Sequence, residues 1–471
     1  MSLYDSYQYD DYSEPQSDNL DEEILACRNL IKSNMILDSV ERIEDVISQC
    51  LDQGYLTDGL YFINYLLEIY PYNSEFWSKK GLLLNASGDE KGAIESYEKA
   101  LSLNPGDIET LIDKSSVEEN LGYFSRAEET LKLVLEIDPA HEDALFSLGI
   151  LYQRKDELQK AITCFEQVVE EDTEYSEAYY ELGYCYETLD KNTEALNAYD
   201  LFLDLEPYNA SGWYNRGVVL TNLGKHEQAL NSYDLALALR DDLINAWFNK
   251  GNLLAELGRN NEALASFKRA YEIDNYDEAI CFNLGKIFEE REEYVYAIKY
   301  FSEAIKINQE YYDAYLARGF CFDYVGKYHL ALRDFNKAIT ISSNTFDAWF
   351  AKAELEYSLG RLNDSVQSYN TALKLKPDKI EIRFNLAETY FEMGNWLASL
   401  ECYNECLRLK PDDAKSFYGK AKIKFVLHRT EEALDCLNSA FDLDPELKKI
   451  FTTDYPEIKS SKLFKKLLGE S

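Results

Sequence analysis

The stretch ASGWYNRGVVLTNLGKHEQALNSYDLALALRDDL, residues 210–243, holds two helical patterns separated by a glycine. The first places apolar or small residues at the spacing of one helix face: Trp213, Gly217, Leu220 and Leu223. Gly224 interrupts this pattern, because glycine is a poor helix former and a common turn residue. The second pattern runs through Ala229, Tyr233 and Ala236. The stretch therefore predicts two helices joined by a tight turn.

The same pattern recurs along the chain with a period of 34 residues. Seven of the nine prolines are separated by 34 residues or a multiple of 34: Pro71, Pro105, Pro139, Pro207, Pro377, Pro411 and Pro445. One set of glycines shares a single phase: Gly81, Gly149, Gly183, Gly217, Gly251, Gly285 and Gly319. Twelve residues later, alanine fills most positions of a second phase: Ala93, Ala127, Ala161, Ala195, Ala229, Ala263, Ala297, Ala331 and Ala433. A fixed period over so many copies indicates a repeat array.

Each repeat has a physical interpretation. Gly217 and Ala229 are small because two antiparallel helices that cross closely leave no room for a larger side chain. Tyr233 and Trp213 are predicted to fill the space toward the adjacent repeat. Proline near the end of many repeats stops the second helix, since its ring and missing N–H prevent continuation.

The pattern of these residues resembles that of the tetratricopeptide repeat (TPR) family. Residues 74–107 carry the family's pattern: Trp77, Gly81, Ala93, Tyr97, Ala100 and Pro105. The resemblance covers residues 40–447, which are twelve repeats, numbered here from repeat 1 (40–73) to repeat 12 (414–447). It implies an all-α fold, a right-handed superhelical solenoid of antiparallel helix pairs, helix A and helix B.

The segments outside the array receive separate predictions. Residues 1–20 are expected to be a disordered acidic tail, which is either a solvated tail or a docking motif. Residues 21–39 are expected to form an N-terminal capping helix, because a terminal repeat leaves one apolar face without a neighbour. Residues 448–471 are locally basic and are expected to form an amphipathic C-terminal capping helix through Leu463, Phe464, Leu467 and Leu468.

Charge limits the class of partner. The chain of 471 residues has 48 Lys and Arg against 86 Asp and Glu, so its formal net charge is −38. Such a surface repels nucleic-acid phosphates and anionic membranes, which leaves proteins or peptides, basic or extended, as the expected partners. Nine cysteines, an odd number, and the lack of a signal sequence favour a reducing, cytoplasmic location. The oligomeric state stays open.

No catalytic, cofactor or metal site is expected. The four histidines lie in widely separated repeats without the i, i+4 spacing of a zinc helix. The cysteines recur at equivalent repeat positions, for example Cys164, Cys402 and Cys436, which is typical of packing. Glycine pairs such as Gly217 and Gly224 fall on repeat positions and lack the spacing of a phosphate-binding loop. The sequence therefore predicts a protein that is not an enzyme.

The resemblance implies that repeat positions 2, 5, 6, 9, 12 and 13 of helix A line the concave surface; we call these six positions the helix A face. Position 2 is acidic in two stretches of repeats, which include Glu109, Asp143, Glu177, Asp313 and Asp347. Position 5 is aromatic in most repeats, which include Tyr180, Tyr214, Phe248 and Phe282. These residues are the predicted peptide-binding set, together with the asparagines at position 6.

Position 6 holds Asn215, Asn249 and Asn283 in three consecutive repeats. An amide side chain can pair with both the N–H and the C=O of an extended peptide. In this respect the run is similar to the asparagine ladder in the TPR superhelix of O-GlcNAc transferase. Asparagine is also common at this position in TPR repeats, so an ordinary repeat preference stays open.

Two functions follow as hypotheses. The first is a non-enzymatic protein-interaction scaffold that binds an extended or basic partner segment on its acidic and aromatic helix A face. The alternative is an assembly or regulatory subunit of a larger complex, which would use the convex face and the ends of the array.

Overall fold

The computed structural model describes residues 17–33 and 39–454. Within these ranges the chain forms 26 α-helices and has no β-strand. The described helices fall into two compact halves, an N-terminal half that ends at Leu239 and a C-terminal half that begins at Arg240.

The N-terminal half contains thirteen of the described helices. They are α1 (Ser17–Lys32), α2 (Val40–Asp52), α3 (Leu56–Ile69), α4 (Ser74–Ala86), α5 (Glu90–Leu103), α6 (Ile108–Asn120), α7 (Phe124–Ile137), α8 (Glu142–Arg154), α9 (Leu158–Glu171), α10 (Ser176–Thr188), α11 (Asn192–Leu205), α12 (Ala210–Asn222) and α13 (His226–Leu239).

The C-terminal half contains the other thirteen described helices. They are α14 (Ile244–Glu256), α15 (Asn260–Ile273), α16 (Glu278–Glu290), α17 (Tyr294–Ile307), α18 (Tyr312–Tyr324), α19 (Tyr328–Ile341), α20 (Phe346–Ser358), α21 (Leu362–Leu375), α22 (Ile380–Glu392), α23 (Trp396–Leu409), α24 (Ala414–Val426), α25 (Thr430–Leu443) and α26 (Glu446–Asp454).

From α2 to α25 the helices repeat with constant length and spacing. In every repeat, helix A occupies positions 1–13 and helix B occupies positions 17–30. Within each half, helix A packs against helix B of its own repeat, and helix B packs against helix A of the next. The predicted all-α solenoid of helix pairs is confirmed.

The turn from helix A to helix B has one backbone conformation throughout. Position 15 has a positive φ in all twelve repeats, and eight of these residues are glycines with φ between 71° and 84°. The other four are Asp156, Asp190, Glu292 and His428, with φ between 57° and 60°. This left-handed residue ends helix A and reverses the chain; glycine adopts it without steric cost, whereas other residues are strained there.

The small residues at position 8 face an aromatic ring of the same repeat. A Cβ atom built on Gly217 would lie 2.6 Å from the Tyr233 ring, and one built on Gly251 would lie 2.7 Å from the Phe267 ring. Tyr233 is buried between the two helices of its own repeat. The ring occupies the volume that glycine leaves free in its own repeat; its packing toward the adjacent repeat stays a prediction.

Trp213 contacts the preceding repeat. Its indole Nε1 donates a hydrogen bond to the backbone carbonyl of Pro207, at 2.9 Å. The equivalent bond joins Trp77 to Pro71, also at 2.9 Å. These prolines lie two residues beyond the last residue of helix B, where the chain has already turned. The indole therefore fixes the entry of helix A against the loop before it.

The ends of the array carry one described helix each. α1 begins at Ser17 and ends at Lys32, so it starts four residues before the predicted capping helix of 21–39. Arg28 of α1 forms an ion pair with Asp58 of α3, at 2.5 Å. At the other end, α26 covers residues 446–454 and buries Phe451 against Phe441 of α25. Residues 1–16 and the predicted apolar set of 463–468 lie outside the described residues.

No helix among the described residues is both long enough and apolar enough to cross a bilayer.

Candidate protein-binding surface

Position 6 of one repeat reaches back to the helix A face of the repeat before it. Asn215 donates from Nδ2 to the Tyr180 hydroxyl at 3.0 Å, which links α12 to α10. In the C-terminal half, Asn283 donates to the Asn252 Oδ1 at 3.1 Å, which links α16 to α14. These two bonds place position 6 of one helix A beside position 5 or position 9 of the helix A before it.

The asparagine amides are therefore partly engaged within the protein. Each lateral bond uses one of the two N–H donors of its amide, and the other donor and the carbonyl oxygen are the groups that a peptide backbone would need. Asn249 is half-buried on α14. The lateral bonds explain why asparagine suits position 6 even without a ligand; the similarity to the O-GlcNAc transferase ladder stays a prediction.

The four predicted aromatic residues at position 5 are half-buried, and each packs on the position 24 ring of its own repeat. The ring centroids are 5.9 Å apart for Tyr180 and Tyr199, and 5.9 Å apart for Phe248 and Phe267. The same arrangement holds at Tyr214 with Tyr233 and at Phe282 with Phe301. Packing inside the repeat thus accounts for part of the aromatic content that the sequence assigned to binding.

The acidic residues at position 2 are solvent-exposed. They are Glu109, Asp143 and Glu177 in the N-terminal half, and Asp313 and Asp347 in the C-terminal half. Asp143 accepts a hydrogen bond from the Tyr175 hydroxyl at 3.3 Å.

Sequence reasoning missed a second set of carboxyls on the same face. Asp113 and Glu181 lie at position 6, and Glu119 and Glu187 lie at position 12, all in the N-terminal half. Burial, together with the nearby carboxylates of Glu109 and Asp107, raises the pKa of Asp113 from near 3.8 to about 6. The repeat position of these four acids is the signal in the sequence, because positions 6 and 12 belong to the same helix A face as position 2.

Burial also raises the pKa of Glu119, Glu181 and Glu187, although each has one favourable partner. Arg154 lies 3.0 Å from Glu119 and opposes the shift. Gln153 donates to Glu181 at 2.8 Å, and Tyr199 donates to Glu187 at 3.2 Å. A raised pKa means that the ionised carboxylate is under-stabilised. A cation placed beside these carboxylates would therefore stabilise their ionised form.

Several cations on the helix A face are already paired. Lys79 lies 3.4 Å from Glu44 and 2.8 Å from Glu75. Lys422 lies 3.3 Å from Glu388, which is at the same position of the preceding repeat. Acidic residues also outnumber basic ones at the six positions of the face, so it has an excess of negative charge.

The nine cysteines are free thiols, and all but the half-buried Cys402 are buried. Burial raises the pKa of Cys164 and of Cys185 to about 11, so neither is a reactive thiolate. Within the described ranges, no three His, Cys, Asp or Glu side chains are grouped as a metal site would require.

Tetratricopeptide repeat models match residues 74–107, 108–141, 146–210, 208–275, 353–394 and 380–413. Together these matches span more than half of the chain. The protein belongs to the tetratricopeptide repeat family. Proteins of this family act as protein-interaction scaffolds, and the helix A face described above is the surface that its repeats build.

Several solved structures are similar to parts of this tetratricopeptide repeat protein. The MamA protein is 26% identical over 36% of this chain and 92% of its own, with a TM-score of 0.34. YrrB, described as a TPR protein with an unusual peptide-binding site, is 21% identical over 40% of this chain and 97% of its own, with a TM-score of 0.37. A tetratricopeptide repeat protein from Parabacteroides merdae is 19% identical over 54% of this chain and 99% of its own, with a TM-score of 0.39. No curated protein matches the chain.

Proposed function

We propose that this protein is a non-enzymatic scaffold whose N-terminal half binds an extended, basic segment of a partner protein on the helix A face. The observation that carries the proposal is Asp113, a partly buried carboxyl beside Glu109 and Asp107, whose pKa burial and these two carboxylates raise to about 6. A lysine or arginine of the partner would place a positive charge beside it. Exposed Glu109, Asp143 and Glu177 would extend the attraction along three successive repeats.

The binding mode joins charge with backbone recognition. The Asn215 amide, held by Tyr180, offers its remaining donor and its carbonyl oxygen to an extended peptide, whose backbone groups need such partners. The half-buried rings of Tyr180 and Tyr214 would contact apolar side chains of the segment. In the C-terminal half, Asn249, Asn283, Phe248 and Phe282 would act in the same way, beside Asp313 and Asp347.

The test is a selection of unstructured twelve-residue peptides on the immobilised full-length protein. We expect the enriched peptides to be rich in lysine and arginine. Reversing Glu109, Asp143 and Glu177 to Lys should abolish their binding. The matched control reverses Glu129, Glu136 and Glu170, which are exposed acids of helices B in the same half, and should leave binding nearly unchanged. Enrichment without basic residues, or equal loss in both triple variants, would contradict the proposal.

A second candidate, an assembly subunit that uses its outer surface, is favoured by exposed leucines on helices B. Leu201 and Leu205 lie one turn apart on α11, and Leu235 and Leu239 do the same on α13; each is 37% to 47% exposed. Such leucines are suited to a contact with a folded partner rather than with a charged peptide. In that case replacing these four leucines by polar residues, and not the position 2 reversal, would abolish partner binding.

A further inference from the structure

A pair of stacked tyrosines lies where repeat 8 meets repeat 9. Tyr294 begins helix α17, and Tyr324 is the last residue of helix α18. Their ring centroids are 4.9 Å apart and the ring planes are within 6° of parallel. Tyr324 is 70% exposed, so one face of its ring is covered by Tyr294 and the rest is open to solvent.

Many aromatic rings of this chain already have a cation over them. Lys80 lies 5.2 Å from the Trp77 ring centroid, and Lys250 lies 5.4 Å from that of Trp247. Among the described residues, no Lys or Arg is placed in this way over Tyr294 or Tyr324. The stack therefore presents an exposed electron-rich face that the protein does not itself use.

The charge beside the stack is negative. Glu292 lies two residues before Tyr294. Desolvation raises the pKa of the Tyr294 hydroxyl, and the Glu292 carboxylate raises it further. The neighbouring acids are engaged: Lys286 lies 2.5 Å from Glu289, and Arg291 lies 2.7 Å from Glu293. In the part of the chain that the structure describes, the Glu292 carboxylate has no such cation.

We propose that Tyr324 and Glu292 form a receptor for an arginine side chain of a partner protein. A guanidinium is planar, so it can lie flat on the open face of the Tyr324 ring, and the negative charge of Glu292 beside the stack would favour a cation there. Lysine satisfies the charge but cannot stack as a plane, so arginine is preferred. The inference rests on the proposed function only in that both expect a basic partner; it concerns position 13 of the helix A face in the C-terminal half, away from Glu109, Asp143 and Glu177.

The test places 3-fluorotyrosine at position 324 alone in the full-length chain and follows its fluorine resonance. The probe is a capped peptide of alternating glycine and arginine, with citrulline and lysine analogues of the same length. We expect a saturable shift with the arginine peptide, a weaker response with the lysine peptide and none with the neutral citrulline peptide. The control label at position 208, an isolated loop tyrosine that is 84% exposed, should not respond.

Affinity measurements on variants complete the test. Replacing Tyr324 by Leu, or Glu292 by Gln, should weaken the arginine peptide about two- to fivefold, as expected of an exposed cation–π contact. Tyr324→Phe should retain the affinity because the ring face is kept. The reversal of Glu109, Asp143 and Glu177 should leave the fluorine response intact, so failure of one site is distinguishable from failure of the other. An equal response at positions 324 and 208, or with citrulline, would overturn the proposal.

Discussion

The left-handed residue at position 15 recurs in every repeat, so different side chains can be compared there in one backbone conformation. Eight repeats use glycine there, and the turn in those repeats has no steric strain. Glu292 adopts nearly the same φ, 59°, with a Cβ atom that contacts the following carbonyl. The chain thus keeps a carboxylate beside the tyrosine stack at a cost in backbone strain.

Replacing Glu292 by Gly should stabilise the C-terminal half by about 0.5–1 kcal/mol. The removed left-handed strain outweighs the extra freedom that glycine has in the unfolded chain. Urea denaturation of the full-length protein measures the change. Glu292→Ala is the matched control, since it removes the same carboxylate but keeps the strained Cβ. A glycine variant no more stable than the alanine variant would contradict this account.

Asp113 provides the corresponding prediction for ionisation. Its pKa is about 6 in the folded protein and near 3.8 when unfolded, so its contribution to stability is fully present below pH 3.8 and is lost as pH rises through 6. Asp113→Asn removes the ionisation and should stabilise the protein by about 1 kcal/mol at neutral pH, after allowance for solvent screening of a partly exposed group.

The advantage of Asp113→Asn should shrink as the pH is lowered from 7 to 5, because the wild-type carboxyl then becomes protonated. Thermal unfolding of both proteins across this range measures it. Glu109→Gln, an exposed acid one turn away, is the control for the loss of one negative charge. A gap between Asp113→Asn and wild type that stays constant with pH would contradict the assignment.

At the scale of the helix, the tight contact between helices A and B decides the stability of a repeat. Ala229 is fully buried on α13, at the position that alanine fills in most repeats. Ala229→Leu should destabilise the protein by about 1–3 kcal/mol, because three added heavy atoms must displace packed neighbours. The same substitution at exposed Ala238, on the same helix, should be nearly neutral. Equal denaturation midpoints for the two variants would show that the contact is not tight.

Helix positions were predictable from the sequence because small residues, turns and prolines recur in phase. The residue that each ring contacts was not predictable. The helical spacing of Tyr233 is compatible with a contact in the neighbouring repeat or in its own, and only the structure places the ring against Gly217. The positions of the asparagines on helix A were predictable, but their lateral bonds depend on the side chain presented by the preceding repeat, which is Tyr180 in one case and Asn252 in another. The burial of Asp113 likewise depends on how neighbouring helices pack, and packing cannot be inferred from the residue type alone.

At the scale of the whole molecule, the net charge of −38 should govern how fast a partner arrives. The excess of acids attracts a basic segment from a distance, and dissolved salt screens that attraction within about 10 Å at moderate ionic strength. The association rate constant of a selected basic peptide should therefore fall about tenfold or more from low to high salt, while the dissociation rate constant changes less. Stopped-flow fluorescence measures both. A rate that salt does not change would place the contact away from the acidic residues.

The constant length of the repeats has a consequence for how such a chain can change over generations. Every helix and every turn from α2 to α25 returns after 34 residues, so removing one whole repeat joins position 34 directly to position 1 and keeps the phase of all others. Duplicating a repeat does the same in the opposite direction. A gene of this kind can therefore lengthen or shorten its protein by one whole repeat at a time. Changes of any other length would shift the phase, which accounts for the absence of insertions between residues 40 and 443.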